Sequence, residues 1–182
     1  MPLGATQPNT QYERLARRQG FNTIAGVDEV GRGCLFGPVV AAAVVLDPAR
    51  QVRGLNDSKL LDAKEREVLA ARIRERALAV SVGAVDAATI DLINILQASR
   101  LAMKFAVEGL SNRPDYLLVD YLALDLPIAQ IGLVKGDKKS RSIAAASIIA
   151  KVERDRWMRA WDVVYPEYGL ASNKGYSAPK HL

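Results

Sequence analysis

One stretch constrains this chain more than any other: Ile24-Ala25-Gly26-Val27-Asp28-Glu29-Val30-Gly31-Arg32-Gly33-Cys34-Leu35-Phe36-Gly37-Pro38. An apolar run ends in two adjacent carboxylates, a Gly-Arg-Gly turn follows, and a second apolar run begins at Val39. Neighbouring side chains of a strand point to opposite faces. Asp28 and Glu29 are therefore expected to serve one site only if the strand stops there and the backbone turns. Gly31 and Gly33 would supply the freedom for that turn. They would also let backbone N–H groups approach a ligand, with Arg32 as a cation between them. Paired carboxylates suit a hard divalent cation, whereas bare N–H groups and an arginine suit a phosphodiester.

The rest of the chain reads as alternating elements. Gln11 to Gln19 is a helical lead-in stopped by Gly20, and residues 1–20 as a whole form an N-terminal lead-in. Strands are expected over Thr23–Asp28, Val39–Leu46, Leu78–Val85, Pro114–Asp120 and Ile128–Val134, with a short extra one just before Asn56. Asp62 and Glu65 have capping-box spacing for a helix running to about Ala77, with Val68, Leu69, Ile73 and Ala77 on its inner face. Asp86 caps a helix that carries Ile90, Ile93, Leu96 and Leu101 near one stripe and ends at Gly109. A long helix spans Ser140–Trp161, and Gly169–Leu182 reads as a loop. These elements make one α/β domain over residues 1–182, a mixed central sheet flanked by helices.

Composition narrows the chemistry. Among 182 residues there is one cysteine, Cys34, which excludes an intrachain disulfide; a small buried residue is its expected role. The one histidine, His181, is penultimate, so carboxylates are the natural candidates for chemistry. No run of ~18 apolar residues suggests a membrane helix, and residues 1–10 lack the apolar centre of a signal peptide. A soluble cytoplasmic protein is expected. The net charge is +5, and from Lys135 onward there are ten Lys or Arg against five Asp or Glu, so the last quarter carries the whole excess. A basic surface of this kind suggests a polyanionic partner.

Three places share one local design, an apolar run ending in an acid at a turn: Asp28-Glu29, Asp120 and Asp137. Each has a plainer reading; Asp120 could be a turn former and Asp137 the cap of the helix near Ser140. If the strands lie side by side, the four acids converge, and their mutual repulsion calls for cations. Two Mg²⁺ or Mn²⁺ ions ~4 Å apart would offset it and support phosphodiester hydrolysis.

The blocks GVDEVGRGCLFGPVVAAAVVL, NDSKLL, INILQASRLAM, LLVD, KGDKKSRSIAAASIIAKVERDRWM and NKGY occur in this order. In that order they resemble ribonuclease HII, the type 2 ribonuclease H family, over residues 22 to 181. The resemblance implies a ribonuclease H-like fold. It also implies an endoribonuclease that cuts the RNA strand of RNA–DNA hybrids, with a role in DNA replication and repair. Such an enzyme incises 5′ of single ribonucleotides in duplex DNA and leaves a 3′-hydroxyl and a 5′-phosphate. By the same resemblance Asp28, Glu29, Asp120 and Asp137 are the catalytic metal ligands, Asp28 and Asp120 reaching both ions and Glu29 and Asp137 completing one each. Gly31, Arg32 and Gly33 would meet the 2′-hydroxyl and adjacent phosphate, and Tyr176 would pack on the next sugar. Lys59 and Lys151 are phosphate contacts or solvated lysines in equal measure. Asp155 is read as a helix-surface partner of neighbouring arginines.

The chain departs from the family pattern at three points. Tyr121 replaces the usual glycine after the third acid, Asn173-Lys174-Gly175-Tyr176-Ser177-Ala178 replaces HKGYGT, and the sequence ends at Leu182 before the family's terminal HRxSF-like motif. These changes predict that metal binding survives better than substrate affinity, with residues 169–182 acting as a substrate-contacting tail. A monomer is expected, with a possible sliding-clamp contact that is not readable from the sequence. The alternatives are a non-catalytic binder of RNA–DNA hybrid, and a metal-dependent phosphotransferase with GRG as a phosphate loop. The second lacks the G-x-x-x-x-G-K-[ST] pattern.

Overall fold

The computed structural model describes residues 7–56 and 58–177. Five strands, β1 (Ile24–Val30), β2 (Val39–Val45), β3 (Ala79–Val85), β4 (Tyr116–Asp120) and β5 (Ala129–Leu133), form one sheet in the order β3-β2-β1-β4-β5. β2 pairs antiparallel with β1 and β3, whereas β4 runs parallel to β1 and to β5. The helices are α1 (Gln11–Arg18), α2 (Ala63–Arg76), α3 (Ala87–Glu108), α4 (Arg141–Val164) and the single turn α5 (Leu170–Asn173). Among the described residues no helix is long and apolar enough to cross a membrane.

Small residues set the distances between layers. In β2, Ala41 and Ala43 face the α3 layer, and Ala42 and Val44 face the layer of α2 and α4. A Cβ on Gly26 would lie 2.0 Å from the backbone carbon of Ser142, so α4 begins almost in contact with β1. A Cβ on Gly83 would lie 2.3 Å from the Ala102 carbonyl oxygen, and α3 sits equally close on the other face. Ser142 and Ala144–Ala146 are buried at the alanine-rich start of α4, which makes this approach possible.

Several boundaries follow the local signals. Asp62 accepts from Glu65 N (2.8 Å) and Glu65 Oε2 accepts from Asp62 N (2.8 Å), a complete capping box. Replacing Asp62 with Ala is expected to cost about 1 kcal/mol, read as a small fall in melting temperature with activity unchanged. Asp86 caps α3 through Thr89 N, and Ser140 caps α4 through Ile143 N.

Elsewhere the structure corrects the expectations. β1 does not stop at Asp28; it continues to Val30 because Glu29 and Val30 keep their register with Ala41 and Val40 of β2. No strand forms before Asn56 among the described residues. Val68 is 44% exposed, and the inner face of α2 is Leu69, Ala70 and Ile73. α3 is kinked at Asn94 (φ 67°), whose Oδ1 recaps the chain through Leu96 N and Gln97 N. Its buried wall is therefore Ala98, Ala102, Met103 and Ala106, while Ile90, Ile93, Leu96 and Leu101 are only partly buried. The tail is not all loop, since α5 precedes an antiparallel bridge between Cys34 and Tyr176. His181 and the end of the tail lie outside the described residues, as do residues 1–6 of the lead-in.

Candidate active site

β1 and β4 are adjacent and parallel, with Val27 opposite Val119, so the next residues, Asp28 and Asp120, lie side by side at the strand ends. β5 then leads into the turn Gly136–Lys138, which carries Asp137. Gly136 N donates to Asp120 Oδ1 (2.6 Å) and fixes that carboxylate against the turn. Asp28, Glu29, Asp120 and Asp137 together line a cleft of about 200 Å³, with Lys59 and Tyr176 also on its wall. Glu29 reaches this cleft from within the strand, beside Asp28, with no turn between them; its N–H donates to Asp28 Oδ1 (2.7 Å).

The acids are crowded and dry. Asp28 and Asp137 are 5% and 6% exposed. Burial, then the neighbouring charges of Glu29 and Asp120, hold the Asp28 carboxyl well above the usual range. Burial also raises Glu29, against the opposing pull of Arg32, whose Nη1 lies 3.2 Å from Glu29 Oε1. Asp120 is raised by burial and by Asp137, against its bond from Gly136 and the charges of Lys59 and Arg32. Glu29 Oε2 is buried with no hydrogen-bond partner among the described residues. Four hard oxygen donors, mutually repelling and with an orphaned oxygen, fit divalent cations. Among the described residues, as they stand, no group of three or more acids, histidines or cysteines is arranged to hold a metal ion. The acids line an open cleft, which leaves coordination positions for a substrate and water.

This crowding has a thermodynamic consequence for the metal-free protein. Carboxyls whose folded-state pKa values are raised bind protons more readily folded than unfolded. Their favourable contribution is complete below about pH 4 and is lost as pH rises through the raised values. In EDTA the melting temperature is therefore expected to fall from mildly acid to neutral pH. Asp28→Asn should flatten that fall and melt above the parent at neutral pH. A lower melting point for Asp28→Asn under those conditions would show that the crowding is not unfavourable.

The Gly-Arg-Gly turn meets its expectation at one glycine and not at the other. Gly31 has φ +106°, and a Cβ there would lie 2.7 Å from Arg154 Nε and 2.8 Å from the Pro38 carbonyl oxygen. Gly33 needs no left-handed backbone; its missing Cβ leaves a face open toward the Tyr176 ring, 3.9 Å away. Arg32 is exposed and paired with Glu29, outside the cleft wall. Burial and Cys34 push the Tyr176 phenol up to about 12, so it stays a neutral donor. Cys34 is only half-buried, its thiol raised by burial.

Lys59 and Lys151 both line the cleft. Lys151 Nζ is held by Asp155 Oδ1 (2.7 Å) and lies 5.9 Å from the centre of the Tyr176 ring. Asp155 is not on the helix surface. It is 5% exposed, and its partners are Lys151 and, across α2, Arg66 at 3.9 Å. Tyr121 takes the left-handed conformation (φ 62°) that a glycine would adopt without strain, and it is 61% exposed. Its side chain does not line the cleft.

Three positioning residues escaped the sequence reading. Arg154 is fully buried and donates to the carbonyls of Pro38 (3.1 Å), Phe36 (2.9 Å) and Lys174 (2.7 Å), which joins the Gly-Arg-Gly loop to the tail bearing Tyr176. Ser58 and Ser147 share a hydrogen bond (2.9 Å) that ties the NDSK loop to α4, and Ser147 also supports Asp28. The serines carry no sequence signal; an arginine inside an otherwise buried helical stripe could have marked Arg154.

A model of the ribonuclease HII family matches residues 25–182. The chain belongs to the ribonuclease HII family. It is accordingly a nuclease of the ribonuclease H type, and the family depends on divalent metal. It is 62% identical over 173 residues to the ribonuclease HII of Koribacter versatilis (strain Ellin345), covering 95% of this chain and 68% of that protein. The ribonuclease HII of Bacillus subtilis (strain 168) is 56% identical with the same coverage. Among solved structures, ribonuclease H2 from Pyrococcus horikoshii OT3 superposes with a TM-score of 0.74 at 30% identity, covering 87% of this chain and 83% of that one. The sheet order and the mixed strand directions are thus those of a ribonuclease H-like fold.

Proposed function

We propose that this ribonuclease HII family member hydrolyses the RNA strand of RNA–DNA hybrids and incises duplex DNA on the 5′ side of a single embedded ribonucleotide. The observation that carries the reading is the convergence of Asp28, Glu29, Asp120 and Asp137 on one cleft beside the Gly-Arg-Gly turn and Tyr176. The four acids come from the strands and turn of a single fold, so the cleft needs no residue from a second copy.

In this reading the four carboxylates hold two divalent cations, Mg²⁺ or Mn²⁺. The ions would supply charge neutralisation at the phosphodiester and lower the pKa of an attacking water. Asp28 and Asp120, side by side at parallel strand ends, with Glu29 and Asp137 on the same cleft, would hold the ions there. The N–H groups of Gly31 and Gly33, with Arg32, face the 2′-hydroxyl and its phosphate. The 2′-hydroxyl is the group that tells RNA from DNA at one position. The neutral Tyr176 phenol packs on the following sugar, held there by the backbone bonds from Leu35 N (2.8 Å) and Phe36 N (3.3 Å) to the Gly175 carbonyl. Lys59 and Lys151 offset phosphate charge at the rim, and Asp155 holds the Lys151 ammonium.

The test is cleavage of an end-labelled DNA duplex carrying one ribonucleotide, with Mg²⁺, Mn²⁺ or EDTA. A single cut 5′ to the ribonucleotide with a 3′-hydroxyl end, absent in EDTA, is expected. Binding of the duplex without any cut in either metal would establish the non-catalytic binding module instead.

A further inference from the structure

Arg32 has two claimants. In the metal-free protein its Nη1 lies 3.2 Å from Glu29 Oε1, three residues back along the chain. In the reading proposed above, the same guanidinium meets a phosphate of the substrate. A phosphate that draws it outward takes it off Glu29.

The pair is placed for such an exchange. Glu29 is a β1 residue that lines the acid cleft, and its side chain is 9% exposed. The Arg32 side chain is 37% exposed and lies outside the cleft wall. The turn between them is fixed. A Cβ on Gly31 (φ +106°) would strike Arg154 Nε and the Pro38 carbonyl oxygen, and Cys34 N donates to the Gly31 carbonyl (3.2 Å). A swing of the Arg32 side chain needs no movement of that turn. The contact is also single and long, whereas a strong arginine–carboxylate pair is bidentate at ~2.7–2.9 Å.

The charge of Arg32 reaches past Glu29 and acts on Asp120 at the end of β4. Arg32 thus brings the crowded acids part of the positive charge that a divalent cation would bring. Among the described residues the acids as they stand are not arranged to hold an ion. Ion binding therefore requires a carboxylate to turn, and Glu29 is one that a cation tethers.

We propose that Arg32 is the internal counter-ion of the acid cleft: it holds Glu29 in the metal-free protein and releases it to the metal when a substrate phosphate takes the guanidinium. The inference rests on the proposed place of Arg32 at the phosphate. It makes Arg32 a positioning residue for a metal ligand as well as a substrate contact. By linkage, metal and duplex then favour each other's binding by one common factor.

The test has two arms, neither of which needs cleavage. In the first, Mn²⁺ is titrated calorimetrically into the full chain without nucleic acid. Arg32→Ala should bind Mn²⁺ about five-fold tighter than the parent, the upper range for a part-exposed ion pair. A merely structural loss would weaken binding instead. In a Glu29→Gln background the gain should vanish. Unchanged or weaker Mn²⁺ binding by Arg32→Ala would overturn the proposal. So would an equal gain in both backgrounds, since that describes a general field and not a hold on Glu29. In the second arm, a duplex carrying one ribonucleotide is bound in EDTA at low salt and read by fluorescence anisotropy. Glu29→Gln should tighten binding about five-fold when Arg32 is present and leave it unchanged when Arg32 is Ala. Equal tightening in both would remove the exchange with phosphate. Failure of the parent to cut the duplex would bear on the nuclease reading alone, because both arms stay readable without it.

Discussion

Asp120→Asn is expected to leave the fold intact and reduce cleavage about a thousand-fold, the effect of losing several kcal/mol of charge stabilisation at the phosphodiester. Asparagine keeps the oxygen that accepts from Gly136 N, so the turn carrying Asp137 stays in place. What disappears is one negative charge at the point where β1 and β4 end together. The same substitution removes part of the repulsion that raises Asp28, so the metal-free variant should melt no lower than the parent. Lost activity with preserved melting separates chemistry from folding. Asp155→Asn is the contrasting variant. Asp155 lies off the cleft wall and balances Lys151 and Arg66, so its loss should lower stability before it touches the rate. Single-turnover cleavage and thermal melting on the two variants would read both effects. Near-parental cleavage by Asp120→Asn would remove that residue from the proposed ligand set.

Arg154→Ala is expected to give the largest loss of stability, about 3–5 kcal/mol, or about 10 °C in melting temperature for a chain of this size. The side chain has no exposed surface, and its three hydrogen bonds end on carbonyls of the Gly-Arg-Gly side (Phe36, Pro38) and of the tail (Lys174). Removing it leaves three buried carbonyl acceptors without their donor. Arg154→Lys should not rescue the loss, because an ammonium cannot reproduce the planar fork of donors. Since Gly175 and Tyr176 are tied to Leu35, Phe36 and Cys34, the tail should become protease-sensitive in the variant before the sheet unfolds. An unchanged melting point would mean that α4 does not staple these segments.

The local signals in the chain determined most of its elements. Hydrophobic runs bounded by turn residues marked all five strands, and Asp62, Asp86 and Ser140 marked helix starts, because caps and alternation act over a few residues. The four acids were legible for the same reason, since each follows an apolar run, although Asp28 and Glu29 turn out to lie inside β1 and not at a turn. The motif blocks carried the family. What only the tertiary structure decided lies in pairings between distant segments. β1 runs past Asp28 because β2 holds its register, a long-range constraint that outweighs the glycines just beyond. Gly26 reads as an ordinary glycine until Ser142 of α4 arrives against it. Asp155 and Arg154 read as surface charges in a charged helical run. Both are buried because α2 supplies Arg66 on one side, while the Gly-Arg-Gly loop and the tail supply carbonyls on the other. The cavity lined by Glu13, Arg14, Leu46, Arg50 and Arg141 has no local signature at all, since its walls come from α1, the segment after β2 and the start of α4. Sequence spacing reports what a residue does to its own few neighbours; which charges end up dry, and which are left without a partner, depends on how the sheet and helices close over them.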